Sequence, residues 1–122
     1  MVAAPLVEPF IEAGRKLVEA LDRASFPIEA AVWRYFPDAS EWRLVIASKL
    51  VDQVGPRETY KTLQPLLGTD LSLRDVSVVS PQDDFVRLLR KAIRTGPGIS
   101  SIRFTGNTID GVFIEDALIY RL

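Results

Sequence analysis

Asp110, Glu115 and Asp116 stand close together near the end of the chain, and Asp83 and Asp84 are adjacent. Grouped carboxylates of this kind could do acid–base work, or hold Mg²⁺ for a metal-dependent hydrolase. Each also has an ordinary use. Asp110-Gly111 is turn chemistry, Asp83-Asp84 suits the first turn of a helix, and no Asp/Glu-x-Lys nuclease pattern lies beside them. Structural roles are therefore expected for all five, with no bound metal and no cofactor. The rest of the catalytic repertoire is thin, because the sequence has no histidine and no cysteine. Ser-His-Asp and Cys-His nucleophilic sites, histidine acid–base catalysis and His/Cys zinc sites are all excluded. So are disulfides and Fe–S clusters.

The second set is cationic. Arg87, Arg90, Lys91 and Arg94 recur at three-, four- and seven-residue steps, which places them on the outer face of one helix. Arg74 and Arg103 would join them if their strands lie nearby. Such a stripe could grip a phosphate backbone, and arginine outnumbers lysine eleven to four, the richer phosphate-recognition residue. Against this, Asp83 is spaced to pair with Arg87, and the net charge is −1, so bulk charge does not favour a polyanion. A solvated helix face is the plainer account. Gly55-Pro56-Arg57 lacks a Gly-rich phosphate pattern, and no dinucleotide fingerprint is present.

The third set is Trp33, Tyr35 and Arg43, residue types enriched at interface hot spots. They fall on one face of a β-hairpin if Phe36 lies opposite Trp42. That face would then carry Ala31, Trp33, Tyr35, Arg43, Val45 and Ala47. The other would carry Ile28, Ala30, Val32, Arg34, Phe36, Trp42, Leu44 and Ile46. Both faces are substantially apolar, so the hairpin is either covered on both sides or presents one side to a partner.

These groups need elements to position them. Residues 9–24 place Phe10, Ala13, Leu17, Leu21 and Ala24 on one stripe of a 3.6-residue period. Gly14 interrupts that helix at about 1 kcal/mol against alanine and marks close approach of a neighbour. Residues 28–36 and 41–48 form the hairpin around the turn Pro37-Asp38-Ala39-Ser40. Residues 49–55 read as a loop and 56–64 as a short helix with Pro56 in its first turn. Residues 74–79 are a short strand. The next helix has Ser80 as N-cap, Pro81 at N1, Phe85, Leu88, Leu89, Ala92 and Ile93 as its apolar stripe, and Gly96 past its end. Residues 99–105 and 112–122 are strands, with a bulge at Glu115-Asp116.

The order α-β-β-α-β-α-β-β over 122 residues predicts one α+β domain. A two-layer arrangement is expected: a mixed sheet of five strands with the helices packed on one face. Hydrophobic residues at 48% and charged residues at 25% are globular proportions. Met1-Val2-Ala3-Ala4-Pro5 has neither a basic nor an apolar leader region. No apolar run approaches the roughly 20 residues that span a bilayer, so a cytoplasmic address away from the membrane is expected. With no catalytic set intact, the expected function is a small non-enzymatic interaction module, an accessory, regulatory or inhibitor-type subunit. Its partner would be another protein or a second copy of itself.

Overall fold

The first helix, α1 (Glu8–Arg23), begins with a proline in its first turn and an acidic Glu8 at its positive end. It buries Ala13, Gly14, Leu17, Val18 and Leu21, the stripe that its period demands. The computed structural model describes residues 5–122; the start inspected for a leader, residues 1–4, lies outside them. After α1 the chain runs through β1 (Ala30–Phe36), β2 (Glu41–Ala47), α2 (Lys49–Leu63), β3 (Val76–Val79), α3 (Asp84–Arg90), β4 (Ile102–Ile109) and β5 (Val112–Arg121). The five strands form one mixed sheet in the order β3-β2-β1-β5-β4, with only β2 and β3 parallel. The α+β class and the element order are those expected.

The hairpin register differs from the expected one by a single residue. Phe36 pairs with Glu41 and Tyr35 with Trp42. Because side chains alternate, one step of register exchanges every side chain of β2 between the faces. Trp33, Tyr35, Trp42, Leu44 and Ile46 therefore share one face, and Val32, Arg34, Arg43 and Val45 share the other.

Each face has its own core. Leu17, Val18 and Leu21 of α1 and Leu63 of α2 pack with Trp33, Leu44, Ile46, Leu118 and Tyr120. Phe85, Val86 and Leu89 of α3 pack on the opposite side with Val32, Val45, Ala47 and Ile119. The helices thus lie on both faces, three layers rather than the two expected. The reason is the strand composition: β1 and β2 are apolar on both sides, and each side needs cover.

Local boundaries also move: β3 begins at Val76 rather than at 74, and β4 spans Ile102–Ile109 rather than 99–105. Residues 49–54 are helical, not a loop. Ser48 caps them by accepting from Leu50 N at 3.2 Å. Gly55, at φ 86°, then kinks α2 ahead of Pro56. In α3 the N-cap is Asp83, which accepts from Phe85 N and Val86 N at 3.0 and 3.3 Å; Ser80 instead closes a turn to Gln82 N. The β4–β5 ladder keeps one register from Ile102↔Ile119 to Ile109↔Val112 but skips the pair Gly106↔Glu115, so the interruption expected at Glu115-Asp116 is present there without the extra residue of a bulge. The register shift lies farther along β5, between it and Ala31/Val32 of β1. The β4–β5 turn is Asp110-Gly111, both at positive φ, the two-residue turn that matches strand twist. Glycine at 106, φ +61° within β4, marks a bend, and beyond it Ile109 and Ile114 close over α3.

The α1 face is organised by a buried hydrogen-bond chain. Trp33 Nε1–H donates to Tyr120 Oη at 2.9 Å, and Tyr120 O–H donates to the Ile11 carbonyl. Burial, the largest influence, pushes the Tyr120 phenol up to about 12, and the Trp33 hydrogen bond works the other way. An unfolded phenol ionises near pH 10, about the model-peptide value. The folded value is the higher one, so this group's stabilisation is complete below about pH 10 and is lost as pH rises toward the folded value. Urea melts of the wild type and Tyr120→Phe across alkaline pH should show a loss in the wild type that the variant lacks. Equal losses in both would remove Tyr120 from that role.

Candidate functional site

The end of the sheet that carries the β1–β2 turn opens into a groove of about 620 Å³, closed on its other sides by the start of α3 and the β4–β5 hairpin. Its volume is in the range of ligand pockets. Arg34 lines it from the α3 face of β1 and is half-buried. The guanidinium carbon stands 4.0 Å from the centroid of the Phe85 ring and 4.6 Å from that of Phe36, within cation–π range of both. Among the described residues its guanidinium has no hydrogen bond and no ion pair. Burial lowers the Arg34 pKa, and the nearby Asp83 charge works the other way. It remains a cation at neutral pH. Arg43 sits directly opposite it in the β1–β2 ladder, a like-charge pair across two strands.

The groove wall is apolar, with Phe113 63% exposed and Val112 48% exposed at its rim. Asp38, Asp84 and Glu115 also line it. Among the described residues their carboxylates have no hydrogen bonds or ion pairs. Asp83 lines it too, with its carboxylate turned to the backbone of α3.

The expected carboxylate cluster is dispersed. Asp110 sits at the hairpin tip and pairs with Lys91. Asp116 is held by Arg103 through two bonds of 2.7 Å and by Thr105 Oγ1 at 2.9 Å. Burial alone would raise the Asp116 pKa, but these hydrogen bonds outweigh it and the net direction is down. Glu115 takes no part in that network and lines the groove. Four residues of strand, roughly 13 Å at about 3.3 Å each, separate Val112 beside the turn from Asp116. Asp110, Glu115 and Asp116 thus do not converge on one point.

The cationic stripe is also broken up. Helix α3 ends at Arg90, so Arg94 is not on it. Arg90 Nη2 donates to the Glu29 carbonyl at 2.8 Å, and Lys91 is paired with Asp110. Of the four, Arg87 and Arg94 keep unpartnered side chains among the described residues. Arg74 precedes β3 and Arg103 is on β4, at opposite edges of the sheet.

Trp33, Tyr35 and Arg43 are separated by the register. Trp33 is 1% exposed beneath α1, and Tyr35, buried on the same strand face, packs against Trp42 at 5.4 Å between ring centroids and reaches the lining of the groove. Arg43 is on the other face, where its Nη2 donates to the Val76 carbonyl at 3.2 Å. Trp33 fills the core and Arg43 braces β3.

No family model, no curated protein and no solved structure matches this chain. The site is therefore read from its own chemistry. Sequence inspection placed Arg34 on an apolar strand face but passed over it as a site. An arginine between Val32 and Phe36 in strand alternation was the available signal, since a cation in such a row needs a partner or an opening.

Proposed function

We propose that this protein is a non-enzymatic interaction module that receives a segment of a partner protein in the Arg34 groove. One observation carries the reading: a half-buried guanidinium against two phenyl rings, with no hydrogen bond among the described residues, in a groove that an exposed Phe113 also lines. Aromatic residues and arginine are the types that dominate binding energy at protein interfaces. Burying the Phe113 ring would gain up to about 1.5–3 kcal/mol, and the open groove beside it can be filled by extended chain or by a helix turn. Among the described residues, no helix is long and apolar enough to cross a membrane.

A displayed library of random peptides, selected on the folded protein, should yield binders. Their affinity should fall about tenfold or more with Phe113→Ser. It should stay unchanged with Lys16→Ala, an exposed α1 residue on the opposite face of the sheet. Because Phe113 is exposed, its replacement should leave the melting temperature nearly unchanged, which separates lost binding from lost folding. A selection without binders, or binders indifferent to Phe113, would overturn the reading.

A further inference from the structure

We propose that Arg34 is the specificity-determining residue of this groove, receiving an Asp or Glu side chain set among apolar residues of the partner segment and flanked there by Lys or Arg. The inference rests on the interaction reading above and adds the chemistry of the partner.

The argument starts from the guanidinium. Its central carbon lies 4.6 and 4.0 Å from the ring centroids of Phe36 and Phe85, and among the described residues its N–H donors have no protein acceptor, which leaves them for a ligand. Such a planar fork matches a carboxylate through two parallel N–H···O bonds.

The surroundings narrow the anion. Asp38, Asp83, Asp84, Glu115 and the Arg103-paired Asp116 line the same groove, so Arg34 is a single lining cation among carboxylates. A phosphate dianion or a nucleic-acid strand would meet repulsion on several sides. A single carboxylate carried between positive residues meets Arg34, and its flanks meet the carboxylates of the lining. A chain-terminal carboxylate is the poorer fit, because such groups are captured by runs of backbone N–H. Here the N–H groups of Phe85 and Val86 are already bonded to Asp83.

The test is a displayed random-peptide selection followed by a double-mutant cycle. Wild-type protein should enrich sequences with one acidic residue among apolar ones and with basic flanks. For the best synthetic peptide, exchanging its acid for the corresponding amide should weaken binding to the wild type about ten- to hundredfold, as expected for charge-assisted hydrogen bonds. The same exchange should cost little on Arg34→Gln. Arg34→Lys should restore part of the discrimination. Asp84→Asn with Glu115→Gln should weaken peptides with basic flanks and spare those without. The amide exchange is read on wild-type protein, so it stands even if Arg34→Gln fails to fold. Binders that need Phe113 but show no acidic preference, or an amide exchange equally costly on wild type and Arg34→Gln, would overturn the inference and leave the groove reading intact. A selection without any binder would overturn both.

Discussion

Trp33→Ala should lower the unfolding free energy by about 3–5 kcal/mol, the range for removing a large aromatic from a closed core. The indole is 1% exposed and fills the space between α1 and the sheet, with Phe10 edge-on at 6.3 Å. Its removal also takes the donor from Tyr120 Oη, whose environment is buried and whose remaining bond runs to the Ile11 carbonyl. Guanidinium denaturation should show a lower midpoint with a similar slope. Trp33→Phe separates the two contributions. It keeps most of the aromatic volume and loses the N–H with the smaller part of the ring system, so it should cost less than alanine. A loss under about 1 kcal/mol for Trp33→Ala, far below the core range, would mean that the ring is a surface group. An interface role for Trp33 predicts that outcome, together with weakened association.

Gly14→Ala should destabilise the protein by about 1–3 kcal/mol, the usual cost of overpacking. Helix propensity alone predicts the opposite sign, a gain of about 1 kcal/mol. Packing decides the matter. A Cβ at position 14 would stand 2.6 Å from Trp33 Nε1 and 2.7 Å from Tyr120 Oη. Neither atom can retreat freely, because each is part of the chain that ends on Ile11 of the same helix. Helix α1 must therefore lift from the sheet or the chain must break. A melt in which Gly14→Ala is as stable as the wild type, or more so, would show that α1 does not sit this close. Additivity is a further check. Gly14→Ala and Trp33→Ala share the same space, so the double variant should lose less than the two single losses combined.

Helix α1, the hairpin, the β4–β5 turn and the α+β class follow from local rules that need no tertiary information. Leu17 and Leu21 repeat at the helical period, Asp110-Gly111 can take two positive φ values, and Gly14 costs too much in a helix to be there without a close neighbour. Local rules mislead where two solutions satisfy them equally. Pairing Phe36 with Trp42 or with Glu41 leaves both hairpin faces apolar, so patterning cannot choose the register; the Pro37–Ser40 turn, with Ser40 at positive φ, and the packing of Leu44 and Ile46 in the α1 and α2 core do. That single step moved Arg43 away from Trp33 and Tyr35 and set it opposite Arg34. Residues 49–54 have no strong apolar stripe, and they are helical because Ser48 caps them where the chain leaves β2.

Charged residues were the least legible. Spacing put Arg87, Arg90, Lys91 and Arg94 on one helix, but α3 stops at Arg90 and the hairpin tip brings Asp110 to Lys91. Asp116 stands beside Glu115 in sequence, yet its partner is Arg103 across the β4–β5 ladder. The order of helices and strands, though not all of their boundaries, and the lack of any histidine or cysteine for catalysis are legible in the residues alone. Only the tertiary structure decided which charges are spent on one another and that Arg34 is left with an open groove. The physical reason is range. Periodicity and turn preference act over a few residues, whereas an ion pair or a cation–π contact joins groups that the sheet brings together from distant parts of the chain.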